Sequence, residues 1–179
     1  GPKYALHSGQ YGNYAPNPVF EAARLISSLK DDRGIVQIPG FYDGVVLTER
    51  DKQLLAMIPE NNDSLNTRLG IFSSEHVAST YQEALQFPSL NIRGLKAAYT
   101  GKEVRTLIPE DVVIEIDMRL VLETPAERQL ELLRNHIIKQ GYHLVDSVAT
   151  SEDRATFKKL AAYEYRIGSK PFRTDMDTD

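Results

Sequence analysis

The segment from Val112 to Val121 sets the strongest limit on the fold. Val112, Ile114, Ile116, Met118 and Leu120 alternate with Val113, Glu115, Asp117 and Arg119. Successive side chains of an extended strand leave opposite faces, so this period of two predicts one apolar face and one charged face. A strand of that kind needs partners edge to edge and a cover on one side only. Ser89 to Leu95 reads as a second strand, Ala97 to Thr106 as a third bent at Thr100-Gly101, and Tyr142 to Val148 as a closing strand.

Two helices are predicted to supply the cover. In the first, Asn17 is placed to cap and Pro18 suits the first helical position, where its missing N–H costs nothing. Val19, Ala22, Ala23, Ile26 and Leu29 then recur at helical spacing. In the second, Thr124-Pro125-Ala126-Glu127 reads as a capping box, Ala126, Leu130, Leu133 and Ile137 share a face, and Gly141 marks the stop. Between them, Ile35 to Ile38 reads as a short strand ended by Pro39-Gly40. Residues 39–87 read as an insertion: a helix after Thr48 carrying Leu54, Leu55 and Ile58, a loop from Glu60 to Thr67, and a helix from Ser74 to Gln86. The expected architecture is α+β, an antiparallel sheet with two core helices on one face (split βαβ, ferredoxin-like) plus a helical insertion. Thr150 to Asp153 starts a further helix with Phe157, Leu160 and Ala161 on one side, followed by an acidic end at Asp175, Asp177 and Asp179. That stretch is too poor in apolar residues to hold itself, so it docks or frays.

Composition narrows the function classes. Of 179 residues, 41% are hydrophobic and 26% charged, as in ordinary globular domains. A formal net charge of −4 with no Lys/Arg block gives no reason to expect nucleic acid, and no apolar run is long enough for a helical membrane span. There is no cysteine, which excludes disulfides and thiolate chemistry and fits a reducing compartment such as the cytoplasm. A Gly-rich phosphate loop and a nucleophile elbow are both lacking.

Four histidines, His7, His76, His136 and His143, have no partner at metal-ligand spacing. His76 and His136 fall on expected helices and read, with His143, as surface or boundary residues. His7 differs in its neighbours: Ser8-Gly9, Gly12-Asn13 and Pro16-Asn17-Pro18 either turn the chain or project an imidazole from a tight turn into a cleft. Arg119 has two readings as well. It belongs to a solvated face and pairs with Glu115 or Asp117, or it is a guanidinium held on a rigid strand to grip a carboxylate.

Taken together, these segments resemble the lid domain of two-zinc metallopeptidases of the carnosinase and aminoacylase kind. His7-Ser8-Gly9 with Gly12-Asn13 and Asn17-Pro18, Pro39 to Asp43, Pro88 to Leu95, Thr106 to Pro109 and Asp117 to Val121 occur in the family's order and at similar spacing. The long insertion favours the dipeptidase branch. The resemblance implies that residues 1–148 are a lid and dimerisation domain with its insertion at about 39–87, and that 149–179 return toward a catalytic domain. It implies a homodimer, a peptide or acyl-amino acid substrate, and two zinc ions in the parent enzyme but none in this chain. By the same resemblance His7 stabilises the oxyanion in the partner subunit's site, while Thr106 and Arg119 bind substrate. Relatives often carry Asp two residues before the lid histidine, and here that position is Ala5. The rival reading is a free-standing α+β binding or dimerisation module with no catalytic parent. A longer reading frame encoding His-x-Asp and Glu-Glu would decide between them.

Neither His-x-Asp nor Glu-Glu occurs in this sequence. The purified chain is therefore expected to bind no stoichiometric zinc and to hydrolyse no dipeptide. Metal analysis finding two tightly held zinc ions per chain would contradict this.

Overall fold

A computed structural model describes residues 1–172, so the acidic end at Asp175, Asp177 and Asp179 lies outside the described residues. The chain is α+β and divides into two compact units, one formed by residues 1–29 and 90–118, the other by 30–89 and 119–179.

In the first unit β1 (Leu6–His7) pairs antiparallel with β3 (Leu107–Ile108), and β2 (Ser89–Lys96) lies beside β4 (Val113–Arg119), two strands whose end residues Ser89 and Arg119 are assigned to the second unit. The alternation read from the sequence survives in β4: Ile114, Ile116 and Met118 are half-buried, while Val113, Glu115 and Arg119 are exposed. Asp117 breaks the pattern by being half-buried. A one-turn helix α1 (Ser8–Tyr11) follows β1, and α2 (Pro18–Ser27) begins as expected, with the Asn17 side chain accepting from the Val19 N–H and Pro18 at the first turn. Ala22, Leu29, Leu90 and Ile108 form this unit's buried apolar centre. The bent third strand does not form between Ala97 and Thr106. Ala98 turns the chain with φ 49° and a 3-10 turn occupies Gly101–Glu103, so the backbone cannot stay extended. The Arg105 guanidinium instead lies 4.6 Å from the Tyr99 ring centroid.

The second unit is built around Phe41, which is 1% exposed. Its carbonyl accepts from the Gln129 side chain at 3.0 Å, and the Asp43 carbonyl accepts from the Arg128 guanidinium at 2.6 Å. Both donors stand on α6 (Ala126–Lys139), which buries Gln129, Leu133, His136 and Ile137. Tyr42 packs edge-on between Phe41 and Phe87, and its hydroxyl accepts from the Val36 N–H. Burial is the main cause of the raised pKa of that phenol. Val36 and Ile38 are buried, yet residues 35–38 make only an isolated bridge, Lys30 to Val36. The expected strand is absent because its N–H groups are taken elsewhere: Ile35 donates to Asp31 and Val36 to Tyr42.

In the insertion, α3 (Glu49–Ala56) has the expected Thr48/Asp51 capping box. The expected loop from Glu60 to Thr67 holds a helix instead, α4 (Asn62–Leu69), capped by Asn61 and ended by Gly70 at φ 69°. The expected helix from Ser74 to Gln86 is reduced to α5 (Tyr81–Ala84). The residues before it are tied to the loop at 30–33, Glu75 to the Lys30 ammonium and the His76 N–H to the Arg33 carbonyl. His76 is therefore on a loop. His136 is buried rather than at a boundary, 6% exposed, and desolvation followed by the Lys139 charge lowers its pKa. The capping box expected at Thr124 is also absent. Pro125 occupies the N-cap position, and the buried Thr124 hydroxyl bonds the Val121 backbone.

The segment after Gly141 docks. β5 (His143–Val145) and β6 (Leu160–Ala162) run parallel, which the connection through α7 (Ser151–Thr156) is long enough to allow. Thr150 and Asp153 cap α7 reciprocally, but the helix ends at Thr156. Phe157 leaves it in extended conformation and stacks on His143, ring centroids 3.5 Å apart, so Phe157, Leu160 and Ala161 do not share a helical face. The Tyr163 hydroxyl donates to the Leu130 carbonyl, and burial pushes its pKa up to about 12.

Gln129→Met keeps most of the buried volume but leaves the Phe41 carbonyl without its donor. A loss of about 1–3 kcal/mol in stability is expected, read from the denaturant midpoint. An unchanged midpoint would remove the Gln129–Phe41 bond from the structural account.

Candidate functional site

The approach of residues 6–9 to 106–110 is the feature that gathers functional candidates. In the antiparallel register Leu6 faces Ile108 and His7 faces Leu107. The next bond, from the Ser8 N–H to the Thr106 carbonyl at 3.2 Å, extends the contact by one residue. Ile108 is buried and Leu6 half-buried, so the alternation of the strand turns His7 outward, where it is exposed. Two of the three sequence candidates, His7 and Thr106, thus lie on the two sides of one backbone ladder, His7 opposite Leu107 and Thr106 opposite Ser8, although about a hundred positions separate them.

His7 ends β1 and caps α1. Its Nδ1 accepts from the Gly9 N–H at 3.1 Å. The chain before it is held as well, since the Ala5 N–H donates to the Glu110 carboxylate at 3.0 Å. Glu110 follows the buried Pro109. The Ala5 backbone is thus tied to a carboxylate from the other side of the ladder. Glu110 was not singled out by the sequence, because nothing local to it signals a contact with residue 5.

Arg119 ends β4 and is exposed. It belongs to the other compact unit, so the ladder that joins His7 to Thr106 does not include it. Glu115, one of the partners considered for it, is engaged by Arg93 at 3.1 Å, an exposed pair of small energetic weight. His143 has a structural task in the stack on Phe157. Among the described residues, no group of three or more His, Asp or Glu side chains is arranged to hold a metal ion. The three candidates His7, Thr106 and Arg119, all among the described residues, offer hydrogen-bonding groups and a guanidinium, a set that does not fit a zinc centre. No helix among the described residues is long and apolar enough to cross a membrane.

Residues 3–144 match the peptidase dimerisation domain of the M20 family. The chain belongs to that family. It is 32% identical over 143 residues to the Cys-Gly metallodipeptidase DUG1 of Candida albicans, covering 78% of this chain and 30% of that protein. It is 30% identical over 121 residues to the human Beta-Ala-His dipeptidase, covering 65% of this chain and 24% of that protein. Among solved structures, human carnosine dipeptidase 1 superposes with a TM-score of 0.68 at 26% identity, over 78% of this chain and 31% of that one. The M20 metallo-carboxypeptidase Sso-CP2 of Sulfolobus solfataricus gives 0.64 at 31% identity, over 78% and 32%. The chain thus spans less than a third of the length of these relatives. It is an M20 peptidase dimerisation domain of the dipeptidase-like branch, homologous to domains of metallopeptidases that hydrolyse peptides.

Proposed function

We propose that this domain is the substrate-closing lid of a homodimeric, zinc-dependent hydrolase that cleaves a dipeptide or an acyl-amino acid amide bond. Residues 1–148 are the lid, with 39–87 inserted in it, and 149–179 lead back toward the enzyme's own catalytic domain. The two zinc ions and the groups that activate water belong to that domain, and the enzyme works in the cytoplasm. The carrying observation is membership of the dimerisation-domain family across residues 3–144. Its relatives' names add substrate class: Cys-Gly and Beta-Ala-His are both dipeptides, each with a free terminal carboxylate. The same membership argues against a free-standing binding module.

In this reading each lid residue has a separate task. His7 reaches into the partner subunit's site and donates a hydrogen bond to the carbonyl oxygen as that oxygen gains charge. The Thr106 hydroxyl, at the other side of the same ladder, contacts the substrate. Arg119 forms a charge-assisted pair with the terminal carboxylate and so fixes the scissile bond in place. Closure of the lid excludes bulk water from the reacting atoms. A two-fold interface uses the same patch on both subunits, so each site receives one histidine from its neighbour.

The test uses the full-length enzyme. Both side chains are exposed, so Arg119→Ala and His7→Ala are expected to fold normally. Arg119→Ala should mainly raise KM, because the carboxylate pair forms in the ground state as well as in the transition state. His7→Ala should lower turnover about a hundred-fold or more, as loss of one oxyanion donor costs about 2–4 kcal/mol. Mixing His7→Ala subunits with subunits lacking a metal ligand should restore activity, since one site of the mixed dimer then has both parts. Full turnover in His7→Ala, or no recovery despite demonstrated subunit exchange, would overturn the assignment in trans.

A further inference from the structure

We infer that Gly9 is a positioning residue for His7, fixing which imidazole nitrogen carries the proton and where the ring sits. Two separate features of Gly9 act on the same ring. Its N–H donates to Nδ1 at 3.1 Å. Its missing side chain leaves the space the ring occupies: a Cβ built on Gly9 would lie 3.0 Å from His7 Cε1 and 3.2 Å from Nδ1. Contacts that short force the ring to give way by a few tenths of an ångström and stretch the bond to Nδ1.

The chemistry follows from the valence of neutral imidazole, in which one nitrogen accepts and the other donates. A Gly9 N–H pointing at Nδ1 requires a lone pair there, so the proton resides on Nε2. His7 therefore stands at the end of β1 as an Nε2–H donor, and among the described residues its ring is oriented by the Gly9 N–H. Other histidines of this chain are held by different means, His143 by its stack on Phe157 and His136 by burial in α6. The functional meaning of the arrangement rests on the lid reading, because an outward Nε2–H is the form an oxyanion donor needs. The positioning itself is a property of residues 7–9.

The experiment is a long-range proton–nitrogen correlation spectrum of the purified, nitrogen-15-labelled chain at a pH where its histidines are neutral. His76, exposed on a loop and without a side-chain hydrogen bond among those found for the described residues, serves as reference within the same sample. His7 is expected to show a lone-pair Nδ1 and a protonated Nε2, with a wider separation between the two resonances than His76 shows. Gly9→Ala, which moves the ring, should narrow that separation. Gly9→Pro removes the donor and sets its own ring beside the imidazole, and should bring His7 to the pattern of His76. A His7 pattern equal to that of His76 in the wild-type chain, or one protonated on Nδ1, would overturn the inference. So would an unchanged pattern in Gly9→Pro. Failure of the subunit-mixing test would remove the lid role of His7 and leave these spectra as expected, so the two ideas fail separately.

Discussion

The candidate site depends on a ladder two residues long. Leu6 against Ile108 and His7 against Leu107 join parts of the chain that are distant in sequence, and the Ser8 bond to Thr106 extends the contact. Burial of Ile108 fixes the register, because a slip by one residue would turn every side chain of a strand to the opposite face. With Leu6 turned inward, His7 is turned outward. The Ala5 bond to Glu110 holds the start of the ladder and the cap on α1 holds its end. An exposed imidazole on so short a strand owes its placement to backbone bonds on both sides of it.

The other unit obeys a different constraint, the need to satisfy backbone carbonyls that go inside with Phe41. Proline and glycine at 39 and 40 turn the chain so that Phe41 is buried, and Gln129 and Arg128 supply donors to the carbonyls of 41 and 43. A buried carbonyl without a partner costs free energy comparable to the bond it lacks, so α6 serves as both apolar cover and polar partner. The same helix receives the returning chain through the Tyr163 bond to Leu130. Helix α6 thus joins the segment at Phe41 to the returning chain.

What could be read from the sequence was what is written locally. The alternation of Val112 to Val121, the Asn17-Pro18 cap and the Thr48/Asp51 and Thr150/Asp153 pairs each report on neighbours within a few residues, and each has its structural counterpart. Readings failed where a side chain competes for the backbone or ties it to another segment. The N–H groups near Val36 go to Asp31 and Tyr42, and Glu75 goes to Lys30, so neither the strand at 35–38 nor the helix from 74 forms. Helix α4 was missed because only Leu65 of its residues is buried and its sequence is otherwise polar. Of the candidate site, His7 stood out through its glycine neighbours, and Thr106 and Arg119 through the family motifs. The pairing of the His7 and Thr106 segments, and the part of Glu110, come from contacts across about a hundred positions, which no local pattern encodes.

The described residues of this dimerisation domain include no cluster arranged to hold a metal ion. In the proposed function, His7 and Arg119 therefore act against a second surface, and for His7 that surface belongs to the partner subunit. The most direct measurement is a crystal structure of the full-length dimer with a phosphinic dipeptide analogue, whose tetrahedral oxygens imitate the oxyanion. The account predicts His7 Nε2 of one subunit within hydrogen-bond distance of such an oxygen in the other subunit's site, with Arg119 on the analogue's carboxylate. An analogue bound in a closed site with His7 remote from it, or reached by the His7 of its own subunit, would contradict the account.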